Sequence, residues 1–159
     1  MSKKRIQVDY NWDAETGKAT VTIIDHSVNA TYIGEALCHP ADEDMCSERT
    51  GLMLATYRAE KKALQAIRTN TLRPQLAILK QLYYSMSQSK QFNENSYENK
   101  MLQSQIHSIK NQIDTVNYKI NMLNKKLNDT IEEKEKFYKS VRELRKRKDK
   151  TSETTSAEI

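Results

Sequence analysis

A chain of 159 residues has room for about one compact domain, or for a smaller one that carries an elongated extension. Apolar residues make up 37% and charged residues 30%, which is lean for a two-layer enzyme but normal for a long helix that buries one stripe. The net charge of +5 is uneven: residues 1–72 hold nine Lys/Arg against ten Asp/Glu and residues 73–159 hold seventeen against eleven, so the basic character belongs to the C-terminal half.

The start, Met1-Ser-Lys-Lys-Arg, is charged, but Ile6 to Trp12 alternates with Gln, Asp and Asn where a secretion signal needs an apolar block. That alternation puts Ile6, Val8, Tyr10 and Trp12 on one face and predicts a half-buried strand. Asp13 to Gly17 is turn chemistry, and Ala19, Val21 and Ile23 resume the alternation, which makes a hairpin. A second polar break at His26 to Ala30 leads to a third strand over Thr31 to Leu37. The three strands need a cover, and Leu52, Ala55, Ala59, Ala63, Ala66 and Ile67 supply a helical stripe within about Asp42 to Asn70. Its alanines allow close approach to the sheet, while Arg58, Lys61, Lys62 and Arg68 are expected to point elsewhere. Asp42, Glu43, Asp44 and Glu48 suit the positive end of that helix, so the acidic cluster needs no catalytic explanation.

Thr71-Leu72-Arg73-Pro74 is read as a joint, because the residue before proline disfavours helix and proline suits a first helical turn. A new helix then carries the seam Leu76, Leu79, Tyr83 and Met86, and a turn is expected near residues 92–98, where FNENSY interrupts the pattern. After it, Leu102, Ile106, Ile109, Ile113, Val116, Ile120, Leu123 and Leu127 alternate steps of four and three. The seam continues past Thr130 and Lys134 through Phe137, Val141 and Leu144, a helix of roughly 65 Å at ~1.5 Å per residue. Such a helix gains its stability from packing and so needs a partner along its length. The Leu76 to Met86 seam can fold back on it but is too short for the far half. Residues from about Leu123 onward are therefore expected to find another chain.

The expected partner interface is Ile120, Leu123, Leu127, Ile131, Phe137, Tyr138, Val141 and Leu144. In a parallel homodimer, flanking pairs such as Gln105 with Lys110 and Lys119 with Asn124 offer no attractive ion pair, which favours antiparallel, intramolecular or heterotypic packing. A homodimer through the coiled coil stays open as an alternative. Lys139, Arg142, Arg145, Lys146, Arg147 and Lys148 are candidate contacts to phosphate or to an acidic groove, against the plainer reading of a solvated helix end whose cations suit the dipole. Tyr83, Tyr84, Phe92, Tyr97, Tyr118 and Tyr138 interleave with lysines, a pattern shared by base-stacking surfaces and by ordinary seams.

No chemistry-bearing motif is present: there is no Gly-rich phosphate loop, no Ser/His/Asp order, no His-Glu-x-x-His helix and no Cys-x-x-Cys pair. His39 beside Cys38 is the best nucleophile-plus-base arrangement, yet neighbours on an extended chain point to opposite faces. Cys38 and Cys46, with His39 and His26, lack metal-ligand spacing and are expected as buried or half-buried thiols in a reduced cytoplasm. No catalytic residue, metal or cofactor is assigned. The longest strongly apolar run is about five residues around Leu52, far below the roughly twenty that span a bilayer.

The segment from Gly34 to Leu64 resembles the double-stranded-RNA-binding-fold-containing family of small bacterial and phage proteins. The shared pattern is a strand ending in Gly34-x-Ala36, then His39-Pro40-x-Asp42, then a helix reading Gly51-x-x-Leu54-Ala55-x-x-Arg58-Ala59. The resemblance covers the N-terminal part, about 70 residues with the preceding strands, and implies a scaffold in which these residues serve turns and close helix–sheet packing. RNA-binding members of that fold place lysines at the last helix's start, where this chain has Cys46-Ser47-Glu48-Arg49-Thr50.

The expectation is thus an α+β protein: a three-stranded antiparallel sheet covered by one helix (1–72), a helical coiled-coil arm (73–148) and a disordered tail (149–159). Its expected role is a non-enzymatic interaction protein, encoded by a phage or mobile element and cytoplasmic in a host bacterial cell. It would dock on a protein complex, nucleic acid or both, for example a CRISPR effector or another nucleic-acid-handling defence system. A direct DNA/RNA binder and a structural virion component that oligomerises are the alternatives.

Overall fold

Two aspartate-led turns fold the first strands into a meander. The computed structural model describes residues 5–39 and 45–155. In the first turn the Asp13 carboxylate accepts from the Glu15 and Thr16 amides at 3.0 and 3.3 Å and from the Thr16 hydroxyl at 2.7 Å. In the second, Asp25 accepts from the Ser27 amide at 2.8 Å and its hydroxyl, and Asn29 takes the left-handed conformation, φ 50°. These bonds, the Thr16 and Ser27 hydroxyls foremost, hold both carboxyls below their ordinary range. The strands β1 (Ile6–Asp13), β2 (Lys18–Asp25) and β3 (Ala30–Leu37) pair antiparallel in the order β1-β2-β3, as the alternation predicts.

Helix α1 (Glu48–Ile67) starts at Ser47, whose hydroxyl accepts from the Thr50 amide. It lies across β2 and β3, and two glycines set its distance. A Cβ on Gly34 would strike the Ala55 carbonyl oxygen and come within 2.5 Å of the Ala59 nitrogen, and one on Gly51 would press on the Trp12 ring at 2.9 Å. Ala19, Val21, Ala36, Leu54, Ala55 and Ala59 are buried in the contact. Because α1 leans toward β3, the apolar face of β1 is only partly covered: Ile6, Val8 and Tyr10 are 52%, 39% and 60% exposed, and only Trp12 packs on the core. Arg58 and Lys62 do not point elsewhere, as expected, but donate to the β3 carbonyls of Glu35 and Ile33 at 2.5 and 2.6 Å.

The expected joint at Thr71 to Pro74 is not a break. A π-helical turn, Arg68–Leu72, joins α1 to α2 (Arg73–Ser87), with right-handed helical backbone at Ile67, Leu72 and Arg73. Proline lacks an N–H and crowds the carbonyl four residues back, and the Arg73 amide reaches instead to Arg68, five back, so the wider turn absorbs Pro74 within a continuous helix. Twenty, five and fifteen residues give an unbroken helical run of about 60 Å.

After the turn that ends near Ser96, α3 (Tyr97–Thr155) runs back along this whole length. The hairpin corner is held by the edge-to-face pair Tyr83–Phe92 and by Gln103, which donates to the Tyr83 hydroxyl at 3.0 Å. Midway, Arg68 donates to the Asn117 side chain at 2.8 Å. The helix continues past the expected boundary at Lys148 to Thr155, so 149–155 are helical, and residues 156–159 lie outside the described residues, as does the acidic run Asp42 to Asp44. The protein is therefore α+β, with the sheet on one flank of α1 and α3 on another.

The cysteines are not thiols. Cys38 and Cys46 form a disulfide with Cα atoms 6.0 Å apart. The amide of Cys38 bonds to Gly17, which fixes the exit of β3, and the Ser47 cap returns the chain to the same place, so residues distant in sequence meet.

Candidate interaction surface

The structure divides the predicted interface in two. Leu102 is buried against α2, and then Ile120, Leu123 and Leu127 are buried at 5%, 7% and 8% exposure where α3 crosses the π turn and α1. Leu127 joins the sheet–helix core and Ile131 packs on it. Nearby, the Lys126 ammonium sits 5.8 Å from the Tyr57 ring centre. These residues, expected to recruit another chain, are satisfied within the protein, because α1 and α2 together are as long as the seam that α2 alone could not cover.

Farther along, the buried stripe leaves the heptad. Phe137 is 57% exposed and its neighbour Tyr138 only 7%. A straight helix drifts by about 20° per heptad against a strict repeat, which over five heptads is one residue's rotation. The inward positions accordingly step from Leu127 to Ile131, Lys134, Tyr138 and Val141, of which Ile131, Lys134 and Val141 are half-buried. The Tyr138 hydroxyl donates to the Met45 carbonyl at 3.2 Å and the Lys134 ammonium lies 5.2 Å from its ring, so this tyrosine anchors α3 beside the start of α1.

What faces outward is the complementary stripe. Phe137 and Leu144, at 57% and 58% exposure, lie seven residues apart on one side of α3. A hollow of about 670 Å³ opens beside them, floored by Met45, Met53 and Tyr138 and walled by Phe137, Val141 and Arg145. Lys139, Arg142, Arg145, Lys146, Arg147 and Lys148 are exposed around this end, and Glu143 is the acidic residue among them. The helix runs on from Tyr138 to Thr155, about 25 Å past the first turn of α1. An apolar stripe bordered by cations on a projecting helix can seat a partner that offers apolar side chains inside an acidic or phosphate-rich rim.

Of the interleaved aromatics, Tyr83 belongs to the hairpin corner and Tyr138 to the anchor, whereas Tyr84, Tyr97 and Tyr118 are 66%, 74% and 65% exposed and scattered. Cys38 is bonded to Cys46 and offers no thiolate to His39, and among the described residues no group of three or more His, Cys, Asp or Glu could hold a metal ion. Among them, too, no helix is long and apolar enough to cross a membrane. Ile131 and Tyr138, one position after the seam's Thr130 and Phe137, are expected from the sequence to meet a partner, and the structure places both against the chain's own sheet–helix module. No protein-family model, curated protein or solved structure matches this chain.

Proposed function

We propose that the protein is a non-enzymatic interaction module that docks the distal part of α3 on a nucleic-acid-handling complex of a bacterial host. The observation that carries this reading is the pair Phe137 and Leu144, large apolar residues more than half exposed on a helix rimmed by lysines and arginines. Leu127, Ile131 and Tyr138 pack this stretch of α3 on the sheet–helix module, so the exposed stripe begins beside an anchored segment. A phage or mobile-element origin and an anti-defence role, a CRISPR effector being the concrete case, belong to the same proposal. They are supported by the family resemblance and by the Asn/Lys/Ile-rich composition.

The test is affinity capture from bacterial lysate with the full chain as bait, with and without nuclease, alongside Phe137→Asp/Leu144→Asp. Both side chains are exposed, so the double variant keeps its melting temperature and loses the partner. Undiminished recovery with that variant overturns the proposal. The basic residues around Leu144 favour a second reading, direct binding of DNA or RNA. It requires that recovery collapse on nuclease treatment and that affinity for naked nucleic acid fall steeply with salt.

A further inference from the structure

The two edges of the sheet are finished differently. Along β3 the outward carbonyls of Ile33 and Glu35 are occupied by Lys62 and Arg58. On the other side, His26 donates to the Arg5 carbonyl in the register that pairs Ile6 with Asp25, so the odd-numbered residues of β1 bond to β2. The outward N–H and C=O groups then belong to Ile6, Val8, Tyr10 and Trp12, and among the described residues no hydrogen bond reaches them. The strand has no lysine, proline or bulge to blunt this edge. The same residues form the face that α1 leaves uncovered, where an apolar groove of about 530 Å³ runs between β1 and α3, bordered by Ile6, Val8, Tyr118 and Met122.

We propose that β1 pairs antiparallel with β1 of a second copy of this chain, about a two-fold axis at Tyr10, to give a continuous six-stranded sheet. The occupant follows from the strand's own sequence. Outward groups must meet outward groups, so the axis can pass only through a single residue, and each choice dictates the side-chain pairs. An axis at Asp9 sets Asp9 against itself, and one at Asn11 sets Asp9 against Asp13. An axis at Val8 shortens the overlap to Ile6 through Tyr10. An axis at Tyr10 pairs Gln7 through Asp13: Tyr10 meets Tyr10, Val8 meets Trp12, Asp9 meets Asn11 and Gln7 meets Asp13. It also brings Arg5 of each copy beside the turn that carries Glu15 in the other. Every pair in that register is apolar, amide–carboxylate or of opposite charge. This contact is separate from the distal end of α3, so the dimer would present two docking arms.

The test is sedimentation of the full chain, disulfide intact, up to high micromolar concentration. The wild type is expected to sediment as a dimer. Tyr10→Pro removes the central outward N–H without touching a bond to β2, and is expected to halve the apparent mass while ellipticity keeps its native value and Trp12 fluorescence matches that of the wild type diluted to the monomer. Val8→Lys keeps every backbone donor and is expected to halve it as well. Asn11→Asp opposes two carboxylates on each side of the axis and raises the dissociation constant about tenfold, and adding Asp9→Lys restores it. A wild type that stays monomeric, including one that takes a foreign strand on β1, overturns the proposal. So does a dimer indifferent to Tyr10→Pro and Val8→Lys, which would join through the helices.

Discussion

Truncation of Leu127 tests whether the arm and the sheet module are one folding unit. Leu127 is 8% exposed and lies in the cluster that holds Val21, Ala55 and Ala59, although Val21 and Leu127 are far apart in the chain. Leu127→Ala removes three buried carbons, worth about 2.4 kcal/mol at ~0.8 kcal/mol each, plus a small cavity term. The site borders solvent and can partly collapse, so the expected loss is about 3 kcal/mol, in the lower half of the range for buried leucines. With a urea slope of about 2 kcal/mol/M the midpoint falls by roughly 1.5 M. The assay is urea unfolding at fixed protein concentration, read by Trp12 fluorescence and by helical ellipticity. Trp12, the only tryptophan, sits in β1 and reports the sheet, whereas most of the ellipticity comes from the helical hairpin. Both transitions should shift together, because Leu127 binds the arm to the module through α1. If the fluorescence transition stays put while ellipticity falls at lower urea, the seam is not part of the core. The stripe from Ile120 to Leu127 would then be part of the surface left for a partner.

Gly34→Ala drives a Cβ into the backbone of α1 at Ala55 and Ala59, a wall that cannot step aside as a side chain can, and should cost about 3 kcal/mol or more in the same urea experiment; an unchanged midpoint would show that α1 is not seated this closely. Cys38→Ser opens a crosslink between residues eight apart, and the chain-entropy account predicts a loss of about 2–3 kcal/mol, which reduction of the wild type by dithiothreitol should reproduce and which thermal melts would read. Asp13, hydrogen-bonded by Thr16, should titrate below the ordinary 3.8 in an NMR pH series, and Thr16→Val should bring it back up. The sign follows from the lowered direction: the turn's contribution is present above the unfolded pKa and is lost as pH falls through the folded one, so protection of the turn amides should fade as pH drops below the ordinary carboxylate range.

The sheet was legible because each of its signals is local. Alternation over Ile6 to Trp12 and Ala19 to Ile23, and the polar breaks at Asp13 to Gly17 and His26 to Ala30, are read within a few residues and need no knowledge of what packs on them. The helical half was legible in kind but not in its partners. Pro74 signals a helix start in most contexts, and nothing in its neighbours announces a wider turn that lets it sit inside a continuous helix. Once the joint is read as a break, α1 is assigned to the sheet alone and the far seam looks unpartnered. The cysteine pair was hidden for a related reason, since spacing along the chain says nothing about a strand exit and a helix start that return to one point.

The surface left for a partner depends on the same continuity. With α1 and α2 as one run, the antiparallel cover reaches Tyr138, whose hydroxyl meets Met45. Over that length the drift between 3.6 and 3.5 residues per turn amounts to one position, so Tyr138 is buried and Phe137, the heptad residue, turns outward with Leu144. Had the helices supercoiled enough to hold the heptad, Phe137 would face α1 and Tyr138 the solvent, and the outward stripe would carry a hydroxyl in place of an apolar ring. Exchanging the two residues, Phe137→Tyr with Tyr138→Phe, therefore separates the cases: it should cost the Met45 hydrogen bond, about 1 kcal/mol in stability, and weaken partner capture by making the exposed ring more polar. A variant that gains stability would place Phe137 in the seam and move the docking surface to the other side of α3.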